Sequence, residues 1–186
     1  MLHQIRTRPD LPHSSNEPVE LLLACHARLR HFSELALALA SRSDLEHAQV
    51  VDASHRLVRY FRVALPLHEA DEEQTLTPAL VELATREQID ALGQMRDQHG
   101  LLHDVLAELF PLWELAETEP GKLVGNVALP HALRLMAVLD VHLQLEETII
   151  FPLIASIEPA QRKRLLDEMR GRRSAEVVTE MRRIAP

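Results

Sequence analysis

His68-Glu-Ala-Asp-Glu-Glu-Gln-Thr-Leu-Thr-Pro78 has a counterpart later in the chain, His142-Leu-Gln-Leu-Glu-Glu-Thr-Ile-Ile-Phe-Pro152. Each copy places a histidine four residues before the first glutamate of a Glu-Glu pair and ends on a proline. Residues four apart lie on one face of an α-helix, so each copy predicts a helix that carries an imidazole beside a carboxylate. Two such faces brought together could hold a metal inside a helical bundle.

The composition favours an all-α protein with one domain. Hydrophobic residues make up 46% of the 186 residues and only five residues are glycine, while good helix formers such as Leu, Ala, Glu and Arg dominate. The net charge of -8 argues against nucleic-acid binding, which usually needs a basic face. The single cysteine, Cys25, excludes an internal disulfide.

The sequence contains no segment that suggests a membrane or an export signal. No apolar run reaches the ~18 residues of a membrane span, and the polar stretch from Met1 to Ser15 lacks the hydrophobic region of a secretory signal. We therefore expect a cytoplasmic protein with no membrane partner. The oligomeric state does not follow from the sequence.

Hydrophobic periodicity predicts four long helices followed by a C-terminal helix. The first helix is expected to be capped by Asn16 and to run to about Ala40. The second is expected to begin near Asp44, with kinks or a break at Pro66 and Pro78.

The remaining helices follow from capping and breaking residues. Thr85-Arg-Glu-Gln88 resembles a capping box and is expected to open the third helix, which ends near Pro111 or a turn beyond it. The fourth is expected over about 126–152. A fifth is expected over 158–184, with a break at Gly171.

These helices predict an up-down-up-down antiparallel four-helix bundle with an extra C-terminal helix. We expect residues 1–15 to form a flexible lead, 16–155 to form the bundle, and 156–186 to form a helical extension.

Seven candidate metal ligands are distributed over the four bundle helices: His26 on the first, His68 and Glu72 on the second, His99 and His103 on the third, and His142 and Glu146 on the fourth. With a rise of about 1.5 Å per residue, six of them fall in a slab roughly 15 to 20 Å from one end of the bundle: His26, His68, Glu72, His99, His142 and Glu146. Scattered histidines have no reason to share one level, so the convergence predicts a metal centre.

The ligand types constrain the metal. Imidazole together with carboxylate suits iron, with manganese or zinc as the alternatives. The single cysteine cannot supply the thiolate set of a structural zinc site. The patterns His-Glu-x-x-His and Glu-x-x-His of other metal proteins are absent at these positions.

Over about residues 17 to 155 the chain resembles the hemerythrin-like (HHE cation-binding) family. The resemblance rests on His26 in ACHARLRHF, on the two His-x-x-x-Glu-Glu segments, and on His99 in DQHGLLH. It implies a four-helix bundle that holds a non-haem di-iron centre, bridged by carboxylates and an oxo or hydroxo group.

The resemblance also implies a role for each candidate, matched by position: His26 and His68 bind one iron, His99, His103 and His142 bind the other, and Glu72 and Glu146 bridge the two. Glu69, beside His68, is the alternative to His103 as a ligand.

The chain departs from the oxygen-carrying branch of the family on the fourth helix. That branch has an aspartate five residues after its histidine, whereas this chain has Glu146 at four and Glu147 at five. Four residues turn a helix by about 400° and five by about 500°, so Glu146 shares the face of His142. Glu73 and Glu147 are expected to contact solvent or the ligands instead of the metal.

The leading hypothesis is a protein that binds or senses O2, NO or redox state, and no catalytic residue is assigned. The resemblance to the HHE-type members of the family implies a sensor, an iron handler or a repair protein more than a dedicated oxygen carrier. Two alternatives stay open. One is iron handling or the repair of iron–sulfur and nitrosative damage, and the other is a metal-poor helical interaction module. No protein partner is identified.

Overall fold

A computed structural model describes residues 17–119 and 127–184. These two ranges fold into five helices without a strand, which confirms the predicted all-α class. None of the described helices is both long and apolar enough to cross a bilayer. The expected lead over 1–15, the cap at Asn16 and the expected start of the fourth helix at 126 lie outside the described residues.

The helices are bounded as follows: α1 covers Pro18–Ser41, α2 covers 47–81, α3 covers Arg86–Glu114 with a 3-10 turn at Leu115–Glu117, α4 covers 128–154, and α5 covers Pro159–Ile184.

Local capping decides where α2 and α3 begin. In α2, Glu46 and Gln49 form a capping box, so the helix starts at His47 and not near Asp44 as expected. The Asp44 carboxylate instead lies 2.8 Å from the Arg42 guanidinium. The predicted capping box of α3 is confirmed, since Thr85 and Gln88 each bond the other's backbone N–H.

Three prolines, Pro66 and Pro78 in α2 and Pro152 in α4, do not end their helices. Each follows a widened π-helical turn, and the three turns are Tyr60–Ala64, Asp71–Leu76 and Glu146–Ile150. A proline has no N–H, and its ring clashes with the carbonyl four residues back. The wider turn relieves this conflict, because the residue before each proline bonds the carbonyl five residues back.

The expectation of a break at Pro66 or Pro78 is therefore wrong, while the fourth helix ends close to Pro152, as expected. The helix continues to Val81 in the first case and to Ile154 in the second. Thr77 donates to the carbonyl of Glu72 across one widened turn. Two of the three turns, Asp71–Leu76 and Glu146–Ile150, thus lie at the glutamates of the repeated motif.

The expected break at Gly171 is also wrong, because α5 is continuous. A glycine within a helix costs only about 1 kcal/mol. Arg172 and Arg173, directly after it, both bind the carboxylate of Asp71 on α2. Tertiary contacts therefore hold the helix through the glycine.

Two apolar clusters fill the interior, one on each side of the candidate ligands. The first includes Leu29, Leu65, Leu102 and Leu139. The second includes Leu22, Leu76, Met95 and Ile154, and α5 contributes Leu166 and Met169 to it. On α1 and α3, residues of the second cluster precede those of the first cluster along the chain. On α2 and α4, the order is reversed.

A substitution at Leu102 tests the packing of the first cluster. The Leu102 side chain is fully buried, so Leu102→Ala should lower the free energy of unfolding by about 3 kcal/mol through lost burial and a residual cavity. The neighbouring Leu101 is 46% exposed, and Leu101→Ala should change it by less than about 0.5 kcal/mol. Urea unfolding of both metal-free variants measures the difference, and equal losses would contradict the described packing.

Candidate metal centre

Six of the seven candidate ligands meet in one layer between the two apolar clusters. These six are His26, His68, Glu72, His99, His142 and Glu146, and each is at most 3% exposed. The seventh, His103, lies outside this layer with 59% of its side chain exposed.

The six residues form two overlapping groups. One contains His26 and His68, the other contains His99 and His142, and both contain Glu72 and Glu146. Within each group the facing nitrogen and oxygen atoms lie within 4.8 Å of one another. Each of the helices α1 to α4 contributes at least one ligand, and the two glutamates are shared.

Glu146 faces both histidine pairs with different oxygens. Its Oε2 lies 2.9 Å from His26 Nε2 and 4.0 Å from His68 Nε2. Its Oε1 lies 3.0 Å from His142 Nε2. One carboxylate therefore reaches into both groups.

Glu72 has the same relation to the two pairs. Its Oε1 lies 3.2 Å from Nε2 of His68, and its Oε2 lies 3.3 Å from Nε2 of His99. Two carboxylates that each offer one oxygen to either side are arranged as bridges between two cations.

The facing atoms of this layer have no hydrogen-bond partner among the described residues. They are Nε2 of all four histidines and both carboxylate oxygens of Glu72 and Glu146. Unpartnered polar atoms are costly to bury. Because the pairs are close but not aligned as hydrogen bonds, their lone pairs face common points. The donor set therefore fits two cations held between the histidines and the carboxylates.

The second glutamate of the α4 motif orients a ligand on α1. His26 Nδ1 lies 2.7 Å from Glu147 Oε1, which also accepts a hydrogen bond of 2.9 Å from Arg30. A carboxylate can only accept, so the His26 proton resides on Nδ1 and the Nε2 lone pair is free for a metal.

The second glutamate of the α2 motif does the same for α3. His99 Nδ1 donates to Glu73 Oε1 at 2.7 Å. The Arg96 guanidinium lies 3.8 Å from the other oxygen of Glu73. Glu73 and Glu147 were expected to contact either solvent or the ligands, and both contact ligand histidines.

Gln98 is a third residue that hydrogen-bonds the Nδ1 atom of a ligand histidine, and the sequence did not predict it. Its Oε1 accepts from His142 Nδ1 at 3.2 Å. Nothing in the motif points to it, because Gln98 lies on α3 whereas its partner lies on α4. Its position directly before His99 is the only sequence signal.

His103 and Glu69 pair with each other outside the layer. His103 Nε2 lies 3.0 and 2.9 Å from the two oxygens of Glu69. Glu69 is 8% exposed, and neither residue belongs to the two ligand groups. His103 is one helical turn beyond His99, about 6 Å along the helix axis, which carries it out of the layer.

Burial shifts the pKa of four side chains of the layer, Glu146, Glu72, His142 and His68, away from the charged form. It raises the pKa of Glu146 to about 8, with the Glu72 carboxylate adding to the effect. Burial also raises the pKa of Glu72 well above its usual range. Conversely, burial and the neighbouring histidines lower the pKa of His142 to about 3 and that of His68 well below its ordinary value.

These shifts match what a metal requires. Imidazoles that stay neutral at pH 7 are ready to donate a lone pair, and the glutamates exchange a proton for a cation. Metal affinity should therefore rise with pH as Glu146 loses its proton.

Comparisons with known proteins agree with this geometry. Residues 17–154 match the family described as the hemerythrin HHE cation binding domain. A protein of Haemophilus influenzae described as uncharacterized is 33% identical over 92 residues, which cover 48% of this chain and 52% of that protein. The match thus spans about half the length of this relative.

The metal-free protein should lose stability as pH rises through neutrality. Between its ordinary pKa of 4.5 and about 8, Glu146 keeps a proton when folded that the unfolded chain has lost. This makes folding less favourable as pH rises. The lowered pKa of His142 has the opposite sign between about 3 and 6.5, so the two effects offset each other only up to about pH 6.5.

We therefore expect the free energy of unfolding to fall by about 1–2 kcal/mol between pH 6.5 and pH 8. Urea unfolding in the presence of a chelator measures it. The variant Glu146→Gln cannot titrate at this position and should show a smaller decline. An equal decline in both proteins would contradict the assignment to Glu146.

Proposed function

Because the chain belongs to the hemerythrin HHE cation-binding domain family, we propose that it holds a carboxylate-bridged di-iron centre. The observation that carries this proposal is the sharing of Glu72 and Glu146 by two histidine pairs. One iron would be held by His26 and His68 and the other by His99 and His142. We leave His103 out of the ligand set because it lies outside the layer and pairs with Glu69.

The chemistry of the donors supports iron over the alternatives. Each ion would receive two imidazole nitrogens and one oxygen from each glutamate, a mixed set that iron favours and that manganese or zinc also accept. An ion that takes five or six ligands would have room for a small molecule beside its four protein donors. When bound, two ferrous ions supply one-electron redox chemistry and affinity for small diatomic molecules.

We propose that the centre binds or senses O2, NO or redox state. The ligand layer lies between two apolar clusters, which suits small uncharged molecules. The residues of the chain hold the ions, keep the imidazoles in one tautomer through Glu73 and Glu147, and exclude bulk water from the layer. None of them is assigned to a catalytic step.

We also propose the up-down-up-down order for α1 to α4. The order of the two apolar clusters along the chain reverses from each helix to the next, as antiparallel neighbours require. The domain division at 15/16 and 155/156 stays a prediction.

A metal-poor interaction module is less well supported. Such a protein would bury eight polar atoms of six side chains without a partner among the described residues. This desolvation lowers the stability of the fold unless cations or protons occupy the layer.

Metal content tests the proposal directly. Protein produced in iron-replete medium should carry two irons per chain, whereas His68→Ala and Glu72→Ala should each carry fewer. Glu72→Ala should lose both ions because it removes an oxygen from each group. Elemental analysis with an absorption spectrum before and after anaerobic reduction, and after O2 or NO, measures the outcome.

Two histidines serve as controls. His103→Ala should keep two irons because His103 lies outside both groups, and His47→Ala should do so because His47 is exposed. Full metal content in Glu72→Ala, or its loss in His103→Ala, would contradict the ligand set. No spectral change on adding O2 or NO would count against the sensing role.

The outer hydrogen bonds should tune the affinity without setting the stoichiometry. Glu147→Ala frees the His26 ring and should weaken metal binding about 10- to 100-fold. The exposed Glu108, on α3, provides the matched control, and Glu108→Ala should bind like the parent protein. Competition with a chromophoric chelator gives the affinities, and equal values for the two variants would exclude a positioning role for Glu147.

A further inference from the structure

Three consecutive acidic residues on one turn of α2 have three different partners. The turn Asp71–Leu76 directs Glu72 into the ligand layer, Glu73 to His99 Nδ1 on α3, and Asp71 to α5. Because the three share one backbone turn, a movement that displaces one carboxylate displaces the others.

The contact of this turn with α5 is a buried, doubly charged clamp. Asp71 is fully buried, and each of its oxygens accepts from a different arginine, Arg172 and Arg173. Arg172 also donates to Thr75 Oγ1 at 2.8 Å, and Thr75 donates to Glu168 at 2.8 Å. A buried carboxylate depends on such partners, so Asp71 and α5 hold each other in place.

The same clamp reaches α1 beside another ligand. Arg173 donates to the Cys25 sulfur at 3.3 Å, and Cys25 directly precedes His26. Helix α5 therefore contacts the neighbour of Glu72 on α2 and the neighbour of His26 on α1. Both ligands belong to the group that also contains His68.

No described side chain holds Glu72 by a hydrogen bond. Its position is set by the backbone of its turn, which is held on one side by Asp71 and on the other by Glu73. A cation bound by Glu72 would fix this turn in the position in which Asp71 meets the arginines. Coupling of this kind is reciprocal, so docking of α5 must favour the cation to the same extent.

We propose that α5 senses the occupancy of the metal centre through Asp71, so that metal binding and the docking of the C-terminal helix strengthen each other. This rests on the proposed function, because it requires a cation at Glu72. It assigns Asp71, Arg172 and Arg173 as positioning residues and makes α5 respond to metal occupancy together with the turn Asp71–Leu76.

Hydrogen exchange of the full chain, with and without saturating Fe2+ under anaerobic conditions, tests the coupling. In the parent protein, the metal should slow amide exchange over 163–175 by about tenfold or more. In Asp71→Asn, which keeps the shape but not the charge, saturating Fe2+ should still slow exchange over 71–76 but should change 163–175 by less than about twofold. The affinity for Fe2+ should also fall by about tenfold.

Lys163→Ala is the matched control on the same helix. Lys163 is exposed and, within the part of the chain that the structure describes, pairs with Asp167 on α5 itself, so this variant should behave like the parent protein. Equal exchange over 163–175 with and without Fe2+ in the parent protein would overturn the coupling alone, and this comparison requires no variant. Absence of Fe2+ binding in the parent protein would instead overturn the proposed function and the coupling with it.

Discussion

Two buried carboxylates shared between two pairs of imidazoles are the constraint on which the rest of this structure depends. Glu72 and Glu146 interrupt the apolar interior at one level, and both present oxygens to each histidine pair. Such a layer is unfavourable unless protons or cations occupy it, and burial raises the pKa of both carboxyls accordingly. The free energy of the fold and the affinity for metal are therefore linked through the same two side chains.

The remaining features of the repeated motif serve this layer. The histidine and the first glutamate face inwards, the second glutamate orients a histidine of another helix, and the proline follows a widened turn at the first glutamate. π-helical turns are frequent at functional sites, and here they let the helix pass a proline without a break. In α2 the same turn also binds α5 through Asp71, so the periphery of the fold connects to its centre.

The sequence was sufficient for features that depend on local periodicity. The i,i+4 spacing of His142 and Glu146 and the capping box at Thr85 are properties of a single helix. Features that depend on contacts between distant segments were not accessible in this way. His103 shares a helix with His99, yet it pairs with Glu69 on another helix, and Gly171 looks like a break until Arg172 is seen to bind Asp71. A proline follows six residues after Tyr60, Glu72 and Glu146 alike, but a proline alone does not predict a widened turn, since Pro111 lies inside α3 without one.

X-ray absorption spectroscopy at the iron edge of the loaded protein tests the central claim most directly. If Glu72 and Glu146 bridge two ions, the spectrum must contain a metal–metal scattering shell at about 3.5–4 Å together with mixed nitrogen and oxygen ligands. The shell must be absent from His68→Ala, which removes a ligand from only one of the two ions. Iron bound with nitrogen and oxygen ligands but without a metal neighbour in the parent protein would contradict the account.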